Sequence, residues 1–364
     1  MNRLWPRQLL AVFRLEISKT FFQRRGLWIY LLAAIPILIM GGHAIDSTST
    51  RNRRLERGDP AVTREKIRLI RGGMTKQEVL SILPNPNHTS SYEVRRGRGK
   101  FGLQKRGLVE GLGYQGKDID VFVRFMDGTV QSVRADTGCD LSEDIHIYAG
   151  IFQFFYLRLA IFFGCVFVFL NLFRGEMLDK SLHYYFLAPV RREIVVAGKY
   201  AAGLVATVVI FAGSTVLQLL VYYNHFDKSQ LEEYLVRGNG WHDAFSYVGV
   251  AALACLGYGS LFLAAGVLIR NPLIPAAVIL FWESINGLMP MALRRLSVIY
   301  YLRSLSPVEI PLGRDVPPPL ALLALNVDPA PPLLAIGGLA LLSCAVVYFA
   351  ARRARTLEIT YGAE

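Results

Sequence analysis

The chain has 364 residues, of which 53% are hydrophobic and 19% charged, with a formal net charge of +12. That balance argues against a water-soluble enzyme or a disordered tail. The apolar residues gather into runs of roughly 16 to 25, the length that crosses about 30 Å of hydrocarbon. Four cysteines, three of them (Cys165, Cys255 and Cys344) inside those runs, form no disulfide framework.

The first run, Leu27 to Gly42, follows Arg3, Arg7, Arg14, Lys19, Arg24 and Arg25 and has no small-x-small cleavage site after Met40. Leu27 to Gly42 is therefore read as an uncleaved first span with a cytoplasmic N-terminus, and residues 1–42 as an interfacial helix followed by that span. Ahead of it, LLAVFRLEISKTFF alternates apolar and charged residues at helical spacing. This predicts an interfacial helix along the inner leaflet rather than an extension of the span.

Residues 43–148 read as an extracytoplasmic α+β domain. In TKQEVLSIL, Thr75 and Glu78 form a capping box, and Pro84 and Pro86 end the helix. IDVFVRF and TVQSVRA alternate as strands around Asp127-Gly128, a tight-turn dipeptide. The basic stretch between, YEVRRGRGKFGLQKRGLVEGLGYQGK, is expected to be a solvated hairpin or loop, with contact to an envelope polyanion the sharper alternative. GMTKQEVLSILPNP with VFVRFMDGTVQSV resembles the SmpA/OmlA-type domain of small outer-membrane lipoproteins, over residues 60–136. The resemblance implies two helices packed on a short antiparallel sheet in a bacterial envelope. The basic insert and the lack of a lipoprotein cysteine depart from that family.

Five further spans are expected within residues 149–355: Ala149 to Phe173, Tyr200 to Tyr223, Ala244 to Ile269, Pro272 to Leu293 and Leu333 to Ala351; residues 356–364 form a tail. The fold class is thus an all-α polytopic membrane protein with six transmembrane helices plus a small α+β domain. Arg174, Lys180, Arg191, Arg192, Lys199, Arg270, Arg352, Arg353 and Arg355 fit a cytoplasmic side, and so place both termini there. Arg294, Arg295, Arg303 and Arg314 oppose the rule. Gly287 and Pro290 suggest that the fifth run breaks and re-enters.

Between the second and third of these six runs lies GEMLDKSLHYYFLAPVRREIVVAGK, residues 175–199. As a helix it places Leu178, Leu182, Tyr185 and Phe186 on one side, with Glu176 in the first turn and Pro189 as the stop. Its order and placement resemble the permease subunits of ABC-2 type exporters. The resemblance implies that 175–189 is a coupling helix seated on an ATP-binding subunit. Glu176, Leu178, Leu182, Tyr185, Phe186 and Pro189 would then be its ATPase-coupling residues, and Arg191 and Lys199 match the same pattern. It further implies a bacterial inner-membrane protein working with two ABC ATPase subunits and a second permease, identical or paralogous, among membrane lipids. An envelope partner for the external domain is a further expectation. Without G-x-x-x-x-G-K-[ST], no catalytic role is expected of this chain, and ATP with Mg would be bound by the partner. The histidines lack metal-ligand spacing, and neither a cofactor, a metal nor nucleic acid is expected. Two other readings stand beside export: a mechanotransmission complex, and a scaffold presenting the external domain.

Arg158 and Glu283 fall inside apolar runs, where a charge costs on the order of 3 kcal/mol. Both sit about 13 Å from the external ends of their runs. They are expected to pair, within one subunit or across a dimer interface; the alternative is that Arg158 snorkels outward and Glu283 is protonated or hydrogen-bonded locally.

Overall fold

The computed structural model describes residues 4–22, 27–98, 104–117, 119–136, 141–178, 190–226, 228–269, 273–310 and 329–355. The chain divides into two compact units, one of residues 1–41 and 145–364 and one of 42–144.

The larger unit is helical. Helix α1 (Leu4–Phe22) precedes α2 (Leu27–Arg57), whose later residues enter the smaller unit. Helix α5 (Leu141–Gly150) continues as a π-helical stretch, Ile151–Ile161, and then as α6 (Phe162–Leu178). Then follow α7 (Arg192–Asn224), a short α8 (Lys228–Glu232), α9 (Gly240–Leu268), α10 (Leu273–Ser284), α11 (Met291–Arg294), α12 (Val298–Leu305) and α13 (Pro332–Ala354). Among the described residues, five helical stretches are long and apolar enough to cross a membrane: Leu27–Arg57, Asp144–Phe173, Arg192–Asn224, Gly240–Leu268 and Pro332–Ala354. Val209, Leu217 and Leu220 on α7 and Leu333, Leu341 and Phe349 on α13 are exposed. Such outward apolar surface suits lipid rather than water.

Small residues set the packing. Phe169 of α6 lies against Gly203 of α7 and Gly259 of α9, where an added Cβ would fall 2.8 and 2.6 Å from its ring. Without a hydrophobic drive between helices in lipid, such close approach supplies the association.

The fifth apolar run, expected to span from Pro272 to Leu293, is not one long helix. Helix α10 has 12 residues, about 18 Å of rise, too short for a bilayer core. A 3-10 turn at Asn286–Leu288 and α11 follow, and then α12 turns inward with Val298, Ile299, Tyr300, Tyr301 and Leu302 buried. Pro290, which has no backbone N–H, stands at the N-cap of α11 just beyond the 3-10 turn.

The smaller unit pairs four antiparallel strands in the order β1 (His88–Arg98), β2 (Gln104–Gln115), β3 (Asp120–Met126) and β4 (Thr129–Asp136). The basic stretch thus forms a long hairpin. Asp127 (φ 52°) and Gly128 (φ 82°) turn β3 into β4 with both residues left-handed, as a two-residue hairpin requires. Helices α3 (Arg64–Leu69) and α4 (Lys76–Ile82) bring Ile67, Val79 and Leu83 to a core with Leu112, Tyr114, Val121, Val123 and Phe125. Arg54 of α2 reaches Asp120 of β3 at 2.8 Å.

Thr75 accepts from the Glu78 backbone N–H, while the Glu78 carboxylate accepts from the Thr75 N–H at 2.7 Å. Those bonds hold the Glu78 carboxyl below its ordinary 4.5. Its contribution is present above that pH and is lost on acidification through the lower folded value. Thr75→Ala should cost the smaller unit about 1 kcal/mol in denaturant titrations of the full chain. Glu78→Gln should flatten the acid limb of the pH–stability curve.

Candidate functional site

The N-terminal start of α7 is where four parts of the larger unit meet. Lys199 donates to Glu16 Oε1 of α1 at 2.7 Å, with 0% and 2% of the two side chains exposed. Isolated, either charge would be prohibitive there; as a pair each supplies what the other lost in leaving water. Helix α1 reaches this depth because Gly198 leaves room for it: a Cβ there would stand 2.8 Å from Val12 Cγ1. Phe173 at the end of α6 presents its ring 5.6 Å from Lys199 Nζ. Arg191 lies 4.8 Å over the ring of Trp5. At the C-terminal end of α13, Arg355 donates to the Glu193 carboxylate, and Arg192 donates to the Arg355 carbonyl at 3.1 Å. The Glu193 hydrogen bond pushes the Arg355 guanidinium above its ordinary value.

The cluster directly follows the proposed coupling segment. Glu176 and Leu178 fall in the last turn of α6, while Leu182, Tyr185, Phe186 and Pro189 lie outside the described residues. Of the residues that carried the ABC-2 resemblance, Arg191 and Lys199 are both in the cluster. Their partners Trp5 and Glu16 were not singled out from sequence, nor was Glu193, and its partner Arg355 was read only as a cytoplasmic-side charge. A signal for Glu16 existed: it follows Val12 by four residues and so stands on the buried stripe of α1.

Arg158 and Glu283 are both buried, and they interact electrostatically. The direct bonds of Glu283 go elsewhere. Its carboxylate accepts from the Ser297 hydroxyl at 2.8 Å and from the backbone N–H groups of Val298 (3.0 Å) and Ile299 (2.8 Å). Glu283 therefore caps α12 from another helix, satisfying N–H groups that have no partner within that helix. Arg158 lies in the π-helical stretch and also feels Arg303 of α12. In the same stretch Gln153 donates to the Val308 carbonyl at 2.9 Å and Tyr156 to the Phe211 carbonyl at 2.6 Å. Wide helical turns of this kind recur at functional positions.

On the outer face of the smaller unit's sheet, His88, Gly113, Phe122 and Arg134 stand opposite one another across the four strands. They line an open cleft of about 470 Å³ together with Asn87 and Gln115. Among the histidines, His43 meets Asp144 at 3.1 Å within this unit.

No family model, curated protein or solved structure matches the chain. Both family resemblances therefore stand on the residues that carry them.

Lys199→Met should lower stability by about 3 kcal/mol, because Glu16 stays buried without its hydrogen-bonded cation and keeps the more distant Lys19, at 4.0 Å. Adding Glu16→Leu should recover most of that loss in thermal unfolding of the detergent-purified chain. Glu283→Ala should destabilise by at least about 3 kcal/mol by orphaning three donors. Combining Arg158→Glu with Glu283→Arg should not recover it, since an arginine there would point donors at donors.

Proposed function

We propose that the chain is the membrane-spanning permease subunit of an ABC-2 type exporter of the bacterial inner membrane. Its role is to couple ATP hydrolysis by a separate ATPase subunit to outward movement of substrate. The observation that carries this reading is the cluster at Arg191–Lys199, where the helix that follows segment 175–189 is fastened to α1 and α13. A coupling helix is useful only if the load it receives is passed on. Closure of an ATPase pair against 175–189 would move α7 as a body. The Lys199–Glu16 pair would carry α1 with it, and the Glu193–Arg355 pair would carry α13.

The ends of the helices support six passages with both termini on one side. Arg355 meets Glu193, so α13 ends where α7 begins. Tyr148, Tyr222 and Tyr247 meet at the other end, near the start of the continuous stretch from α5 to α6, the end of α7 and the start of α9. Between Leu268 and Pro332 the chain must therefore return across the bundle, and α10 to α12 make that fifth passage in pieces. The cytoplasmic side is then the side of the cluster. ATP and Mg belong to the ATPase subunits, of which two are expected with a second permease. The smaller unit, with a core of its own, is the extracytoplasmic part. That independent core is also what favours the second reading, a complex that moves or displays this domain without transport.

Native purification of the tagged chain in mild detergent should recover a stoichiometric ATPase. Glu176→Arg and Pro189→Ala should lose it. Recovery of the chain without ATPase in all three samples would replace export with the scaffold reading.

A further inference from the structure

At the end of the bundle opposite the cluster, the rings of Tyr148, Tyr222 and Tyr247 pack together. Tyr148 stacks on Tyr222 at 5.1 Å and meets Tyr247 edge-on at 4.9 Å. All three are at least 97% buried. Among the described residues the hydroxyls of Tyr148 and Tyr247 have no hydrogen-bond partner, nor does Oε1 of Gln218, one turn before Tyr222 on α7. A single buried orphan is unusual; two such hydroxyls on touching rings, with an amide oxygen one helical turn along α7, are a costly arrangement inside an apolar bundle. One step further out lies the buried carboxylate of Asp243, which accepts from the Tyr234 hydroxyl at 2.7 Å and interacts with Tyr223 and Tyr247. His242 stands 3.6 Å from Asp243, largely exposed, and His225 borders Tyr222 at 5.8 Å.

The chemistry of these groups has one direction. A carboxylate, an amide oxygen with an open lone pair, phenol oxygens able to accept and several π faces all favour a cation that brings N–H donors. An anion would meet repulsion from both the carboxylate and the rings. We propose that this cluster is a binding site for a primary ammonium group, seated among Tyr148, Tyr247 and Gln218 and entering past Asp243. Tyr234 holds the place of the ligand on Asp243, its phenol donating where an ammonium N–H would. The rings are in mutual contact, so only a small head group fits, and it enters by displacing the Tyr234 hydroxyl. As a transport site this assignment rests on the permease reading. Binding alone is a property of the chain, and it can be measured without any ATPase.

The test uses the purified full chain in detergent and ethanolamine as the probe, read by titration calorimetry. Saturable binding is expected, with affinity reduced at least tenfold by Asp243→Asn. Tyr247→Phe keeps the ring and removes an orphan, so it should raise the unliganded melting temperature while weakening the probe severalfold. That opposite pair of shifts is not produced by a merely structural tyrosine. Absence of saturable binding, equal binding of glycerol, or affinity unchanged in both variants would overturn the proposal. Nanodiscs then separate the two sources of such a group. Loss of ethanolamine binding in phosphatidylethanolamine but not phosphatidylcholine discs identifies a lipid head group. Retention in both identifies a soluble amine. Binding without a co-purifying ATPase would sink the permease reading and leave the site standing.

Discussion

The larger unit is organised by one buried ion pair. Glu16 and Lys199 are withdrawn from water almost completely and lie 2.7 Å apart. Two charges in such a place tolerate little separation, because each would then face an apolar surround alone. Their partnership fixes the depth and direction of α1, which in turn needs a glycine at position 198 to approach α7. Trp5 and Arg191 then fall together on the same approach, and Glu193 and Arg355 draw the end of α13 to the same place. The order of these dependencies runs from a charge to a helix to a bundle end.

What the sequence revealed and what it hid follow from the range of the interactions. The capping box at Thr75 and Glu78 and the Asp127-Gly128 turn are local, and both were readable from neighbouring residues alone. Apolar length located the long helices, but not their ends. Helix α7 starts at Arg192 rather than Tyr200, because Glu193 and Lys199 find partners that let a polar turn extend the apolar one. The π-helical stretch left no mark in the pattern of residues. Glu16 meets a residue 183 positions away, which no window along the chain could connect. In the smaller unit, the basic hairpin hid Leu112 and Tyr114 as core residues, because the charges around them dominate its composition.

Glu283 shows that a carboxylate in an apolar run can answer to more than an opposite charge. A carboxylate in an apolar run invites a search for an opposite charge, and Arg158 is within its field. Its hydrogen bonds, however, go to the first turn of α12. Inside lipid the backbone is as demanding as any side chain, and a short helix there must have its free N–H groups met. Breaking the fifth apolar run into pieces creates that demand, and one acidic residue fills it. The polarity of Glu283 and the irregularity of its segment are one feature.

The same sequence separation that hid the partner of Glu16 has a consequence for biosynthesis. At a synthesis rate of about 5–20 residues per second, Lys199 emerges on the order of 10 to 40 seconds after Glu16. Throughout that interval α1 exists without α7, its buried stripe uncovered and its carboxylate without the lysine that meets it at 2.7 Å. An amphipathic helix of this kind is held by the membrane surface, where a carboxylate can remain hydrated. Docking of α1 is thus a late event in the making of the protein, and it requires α7 to be in place first. Truncations that end before Lys199 would leave the N-terminal helix on the lipid surface, accessible to labels that the finished chain excludes.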